Sequence, residues 1–235
     1  MPSPSPDDDG PDLVVDALLL DMDGTLIDSG PAVQRCWNQL FAELGSERRF
    51  DHSLHGVPGR EVLARVFPHF DAEQTRTAFE RVLSLELSDI DGIRVLPGTE
   101  RLLAELDAAS ALLGRPAWTI VTSCTADLFA ARWATTGLPV PPSLVTADQV
   151  ARGKPDPEPY LLGARRLRVD PARTLVVEDS LGGLASARAA GARTLALATT
   201  SPAAELAGGA DALVADLEGV RVRAHEGGLR VELGV

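Results

Sequence analysis

Asp21 and Asp23 sit either side of a methionine in DMDGT, and a second acidic pair, Glu178-Asp179, stands in VVEDS. Between them lie Ser123 and Cys124 in VTSCT and Lys154 in ARGKPDPEP, the only lysine in a chain that otherwise uses arginine. Four carboxylates brought together repel unless a counter-ion joins them. Their oxygens suit a hard divalent cation, Mg²⁺. A metal so held screens an incoming phosphate from the same acids. The Lys154 ammonium, a compact charge with three donors, suits a phosphoryl oxygen from another side. Each piece alone has a plainer reading. An Asp-x-Asp is a turn or helix cap, Ser123 an N-cap, Glu178-Asp179 a favourable helix start, and Lys154 a solvated side chain. Their joint occurrence, each at the end of an apolar run, favours a phosphoryl-transfer site.

Those runs are the elements that must position the chemistry. Leu13–Leu20 is nearly continuous and apolar, as expected of a strand covered on both faces. Trp118–Thr122, Thr174–Val177 and Thr194–Ala198 look alike, and Ser143–Thr146 is a shorter candidate. Helical patterns separate them at Gly98–Ala109, Ala126–Thr135, Pro157–Arg168 and Leu181–Ala190, the last stopped by Gly191. Strand and helix in alternation predict an α/β fold, a Rossmann-like parallel sheet with helices on both faces. Ligands gather at the carboxyl ends of such strands, where the acidic, hydroxyl and ammonium groups fall.

Residues 30–95 break the rhythm, with helical spacing and no strand-like run. Val33, Trp37, Leu40, Phe41 and Leu44 follow one helical face behind Pro31. Asp71 and Gln74 form a capping box for a helix through about Leu87. This segment is expected to be an inserted all-helical domain, with residues 12–29 and 96–235 forming the core. Residues 1–11, rich in Pro, Ser and Asp, are expected to be a disordered tail, and 220–233 a terminal β-hairpin around Glu226-Gly227-Gly228.

A formal net charge of -12 argues against nucleic acid or an anionic membrane as partner. No apolar run is long enough to cross a membrane, and the start lacks the features of a signal peptide. Cys36 and Cys124 make neither a disulfide framework nor a zinc cluster, so reduced thiols in a cytoplasmic protein are expected. The assembly is expected to be a monomer or small homo-oligomer.

DMDGTLIDS resembles the first motif of the haloacid dehalogenase superfamily, VTSCT the second, GKPDPEPY the third and VVEDSLGGLASARAAG the fourth. The resemblance runs from about Leu13 to Thr200. It looks closest to the phosphatases of 2-deoxyglucose 6-phosphate and glycerol phosphate, with β-phosphoglucomutases as near relatives. It implies a helical cap over the core, Asp21 as nucleophile and Asp23 as general acid and base. It also implies Mg²⁺ held by Asp21, the Asp23 main-chain carbonyl and Asp179 with Glu178 nearby, and Ser123 and Lys154 gripping the phosphoryl group. A carboxylate nucleophile divides phosphoryl transfer into two displacements, and backbone N–H groups at Gly24 could supply an anion nest. Cys124 stands where relatives often carry glycine; its backbone N–H can still face a phosphate, and a catalytic thiol has no histidine placed beside it. In the cap, LHGVPGRE offers His55, Gly56 and Arg60 as a substrate loop, while Trp37 and Phe41 read as cap core and His52 and His69 as surface.

The expected substrate is a small sugar or polyol phosphate monoester. A mutase that returns the phosphoryl group to the sugar is the alternative, and a phospho-accepting signalling domain a more distant one.

Overall fold

The computed structural model describes residues 13–234 apart from 52, 53, 55 and 56. The expected tail, residues 1–11, lies outside the described residues. At the centre stands a parallel sheet. Its strands are β2 (Ala17–Leu20), β5 (Trp118–Val121), β6 (Leu144–Val145), β7 (Thr174–Glu178), β8 (Arg193–Leu197) and β9 (Ala212–Val214), in the order β6-β5-β2-β7-β8-β9. The apolar runs are buried because both faces are covered. Leu18 and Leu20 of β2 join Trp118, Ile120, Leu175 and Val177 against α4 (Thr99–Leu113) and α5 (Ala126–Ala134). Leu19 faces the other way with Val121 and Val176, onto α6 (Glu158–Leu167) and α7 (Leu181–Ala189). The chain lays β5 and β6 on one side of β2, then returns to lay β7, β8 and β9 on the other. That reversal leaves a crevice beyond the carboxyl ends of β5, β2 and β7.

One expected strand is two. Leu13–Leu20 divides at Asp16, whose carboxylate is bound by Arg173 at 2.6 Å and whose N–H goes to the Arg173 carbonyl. A charged residue anchored there ends the run. β1 (Leu13–Val15) turns away to pair antiparallel with β11 (Gly228–Leu233) of the terminal hairpin, whose other strand is β10 (Val220–His225). β9, whose three residues are all only half-buried, carried no clear apolar run.

Residues 30–88 hold α1 (Gly30–Glu43), α2 (Gly59–Val66) and α3 (Ala72–Ser88). Their apolar faces close a second core of Cys36, Trp37, Leu40, Phe41, Val62, Leu63, Phe67 and Val82. Leu44, expected on that face, is 37% exposed at the end of α1. The capping box of α3 is present in both directions, with Asp71 accepting from Gln74 and Gln74 from Asp71. Two features depart from a purely helical insert. Arg94–Val95 forms a short strand, β4, antiparallel to β3 (Ile27–Asp28) where the chain leaves and re-enters the sheet layer. Arg60 and Glu61 belong to the first turn of α2 rather than a loop, because Pro58 opens a helix and Glu61 suits its positive end.

Candidate active site

The turn after β2 sets out Asp21 and Asp23. Leu26 and Ile27 N–H groups both donate to the Met22 carbonyl, and the Gly24 N–H donates to Ile27 at 2.7 Å. The Gly24 N–H is therefore committed within the turn and does not open onto an anion. Gly24 has φ +83°, and a Cβ there would lie 2.1 Å from Asp179 Oδ2. Only glycine lets this turn press against the end of β7.

Three carboxylates converge there. Asp21, Glu178 and Asp179 each offer an oxygen within 4.8 Å of the others, and all are buried. Lys154 reaches them from the loop before α6. That loop is fixed by the Glu158 carboxylate, which accepts from the N–H groups of Ala151 (2.9 Å) and Arg152 (3.0 Å). The Lys154 ammonium donates to Asp21 Oδ1 at 2.6 Å, Glu178 Oε1 at 2.7 Å and the Val121 carbonyl at 2.9 Å. It also lies over the Tyr160 ring, 5.0 Å from its centroid.

Glu178 is held from every side. Its Oε1 also accepts from the Tyr160 hydroxyl at 2.8 Å. Its Oε2 accepts from the Asp179 N–H (3.1 Å) and the Ser180 N–H (3.3 Å) and hydroxyl (3.0 Å). Gly183 allows this: a Cβ there would lie 1.8 Å from Oε1. Asp179 accepts from Thr25 at 3.4 Å and from the Thr200 hydroxyl.

The cluster is short of positive charge: three acids face one ammonium. Burial, reinforced by Glu178, pushes the Asp179 carboxyl up to about 7. Burial also raises Asp21 well above the ordinary range, with Lys154 opposing and the neighbouring acids adding to it. Desolvation pulls Lys154 down, but Asp21 and Glu178 outweigh it and hold the ammonium firmly charged. A divalent cation among these oxygens would balance the remaining charge, so the donor set fits a hard metal ion.

Asp23 faces elsewhere. Its Oδ1 accepts from the Ser29 hydroxyl at 2.5 Å and from Arg132 Nη1 at 2.9 Å, and its Oδ2 accepts from the Cys124 thiol at 3.0 Å. The Cys124 N–H is used by Thr122 Oγ1 at 3.1 Å. Burial pushes the thiol well above its usual pKa, with Asp23 adding to this, so it stays protonated and is no nucleophile. Ser123 is exposed at the carboxyl end of β5.

The structure thus brings Asp21, Lys154, Glu178 and Asp179 into one buried cluster, with Asp23 and Cys124 adjoining. Arg60 is elsewhere: it is exposed on α2, its guanidinium 4.9 Å from the centre of the Phe79 ring. His55 and Gly56, like His52, lie outside the described residues, and His69 is exposed. Sequence reasoning did not single out Tyr160, the only tyrosine of the chain. It also missed Arg132 and Glu86. The one available signal was the irregular pattern of α5, where an arginine interrupts the apolar face.

The haloacid dehalogenase-like hydrolase model matches residues 15–191. Hexitol phosphatase A of Escherichia coli is 39% identical over 191 residues, 76% of this chain and 81% of that protein. 2-Deoxyglucose-6-phosphate phosphatase 1 of Saccharomyces cerevisiae is 32% identical over 93% of this chain and 95% of its own length. Among solved structures, CbbY from Rhodobacter sphaeroides in complex with phosphate superposes with a TM-score of 0.69 at 29% identity, covering 87% of this chain and 95% of that one. With the four motifs gathered at one sheet edge, the chain belongs to the haloacid dehalogenase-like hydrolases and is a phosphatase of that family.

Proposed function

We propose that the protein hydrolyses a small sugar or polyol phosphate monoester in two displacements. The observation that carries this reading is the buried cluster of Asp21, Glu178 and Asp179 around Lys154, with a second carboxylate, Asp23, held on the same turn. The names of the relatives, a hexitol phosphatase and a 2-deoxyglucose-6-phosphate phosphatase, supply the substrate class.

Asp21 attacks phosphorus, the ester P–O bond breaks, and the leaving alkoxide takes a proton from Asp23. Water then attacks the aspartyl-phosphate. Asp23 takes back a proton, the acyl P–O bond breaks, and Asp21 and inorganic phosphate are regenerated. Lys154 orients Asp21 through their 2.6 Å contact, and Glu178 holds Lys154 in place. Mg²⁺ would be held by Asp21, Asp179 and the Asp23 main-chain carbonyl, with Glu178 beside them, and would supply charge neutralisation for a phosphate dianion. Ser123, exposed beyond β5, would meet a phosphoryl oxygen. The helices α1–α3 act as a cap that excludes water and admits only small esters.

The experiment is a panel of sugar and polyol phosphates with Mg²⁺, following inorganic phosphate and residual ester together. Phosphate released in step with ester loss is the expected result. Isomerised ester without release would mark a mutase, and a persistent acyl-phosphate without turnover a signalling domain.

A further inference from the structure

Arg132 projects from α5 into the seam between the sheet layer and the inserted helices. Its side chain is 5% exposed. One guanidinium nitrogen, Nη1, donates to Asp23 at 2.9 Å and approaches the Cys124 sulfur at 3.3 Å. The other, Nη2, donates at 3.3 Å to Glu86, a carboxylate on α3 with 11% exposure. The second Glu86 oxygen accepts the indole N–H of Trp37, on α1, at 3.1 Å. A chain of polar contacts therefore runs from two inserted helices, through one planar fork, to the carboxylate beside the nucleophile.

Such an arrangement is expensive. Burying a guanidinium and the Glu86 carboxylate, with Asp23 half-buried beside them, costs desolvation that apolar packing would avoid, and burial drives the Glu86 carboxyl upward despite Arg132. A lysine could not serve both acids, because its ammonium is a point charge, whereas the fork presents separate donors in fixed directions.

We infer that Arg132 is a positioning residue that ties the placement of the Asp23 carboxylate to the seating of the inserted helices, through Glu86. This rests on Asp23 being the acid and base of the proposed reaction. A shift of α3 against α5 changes the Glu86–Arg132 contact and with it the pull on Asp23. The device thus links cap position to proton transfer without touching the substrate.

The test uses the full chain with saturating Mg²⁺, p-nitrophenyl phosphate, rapid mixing, and the variants Glu86→Gln, Arg132→Lys and Arg132→Met. Nitrophenolate leaves without needing a proton, so the first displacement tolerates a misplaced Asp23, while hydrolysis of the aspartyl-phosphate still needs a base. Arg132→Met should lower kcat about 10²-fold and expose a burst of about one nitrophenolate per site. Glu86→Gln keeps size but has one oxygen for two donors. It should lower kcat about tenfold with the same burst, KM staying within about threefold. Arg132→Lys should resemble Arg132→Met, and adding Glu86→Gln to Arg132→Met should cost little more.

Wild-type kcat in Glu86→Gln or Arg132→Lys overturns the inference, as does an equal loss of both phases without a burst in variants that melt like the wild type. If Arg132→Met does not fold, the other two variants decide. The parent reading fails separately: it falls if Asp21→Asn keeps its turnover, whatever Arg132 does.

Discussion

Asp21 and Asp23 leave the same turn, yet their surroundings differ in kind. Asp21 shares one ammonium with Glu178 and has Asp179 against it, a group of acids short of positive charge. Asp23 has a guanidinium at 2.9 Å, a hydroxyl at 2.5 Å and a thiol at 3.0 Å, and no other acid within its own hydrogen-bond set. One environment awaits a cation and an anion; the other holds a carboxylate in a fixed direction. Identical side chains take different roles because their neighbours differ.

The largest effects should come from separating the pair. Asp21→Asn should lower kcat by about 10⁴-fold or more, as removal of a nucleophile does. Asp23→Asn should cost about 10²–10⁴-fold, the span of general acid–base catalysis. Steady-state phosphate release measures both, and circular dichroism checks the fold. Equal losses, with no acyl-phosphate trapped in Asp23→Asn, would break the contrast between nucleophile and proton carrier.

Metal removal should act on the Asp21 side. Chelation should abolish phosphate release and Mg²⁺ should restore it. Mg²⁺ at a hundred times its Kd should stabilise the fold by about 2.7 kcal/mol. The pH sign follows from Asp179, raised from 3.8 to about 7 by burial and Glu178. A folded carboxyl with a raised pKa binds more protons than its unfolded form. Its contribution is therefore present below the unfolded value and lost as pH rises toward about 7. Metal-free protein should melt lower at pH 8 than at pH 5.5, and Mg²⁺ should raise Tm more at the higher pH. Scanning calorimetry with and without chelator reads both; a pH-independent Mg²⁺ shift would contradict the charge deficit.

Lys154→Arg should come next, costing about 10²-fold in kcat and, through overpacking, about 1–3 kcal/mol in stability. The buried ammonium directs its three donors to three acceptors. A planar fork cannot converge on that triangle. This gives the solitary lysine of an arginine-using chain a physical reason, and wild-type kinetics in the variant would remove it.

The Asp21 side was the more legible of the two in sequence. Its residues follow apolar strands, and a parallel sheet places strand ends together whatever the loops do, so Asp21, Lys154, Glu178 and Asp179 could be named from local pattern. The partners of Asp23 could not, apart from Cys124. Arg132 and Glu86 sit in the last turns of two helices, 46 residues apart, and no local pattern joins them. Only the packing of α3 on α5 makes them a pair. Strand ends were equally dependent on tertiary context. Asp16 divides an apolar run because Arg173 waits for it, and β9 forms because β8 offers an edge to a segment with little pattern of its own.

The smallest effect should come from Cys124, which tests how Asp23 is held. Its thiol donates to Asp23 Oδ2, while Ser29 and Arg132 both donate to Oδ1. If the two Oδ1 partners fix the carboxylate, the thiol is dispensable. Cys124→Ala should then keep kcat within about threefold, which is below the effect of losing a proton carrier. Deleting one buried sulfur should cost about 1 kcal/mol, read as a small fall in Tm. The thiol is buried and protonated, so native protein should resist alkylation at this position. A loss of tenfold or more in Cys124→Ala, reversed in Cys124→Ser, would instead show that Asp23 needs a donor on each oxygen, and that its environment is less self-sufficient than the Arg132 contact implies.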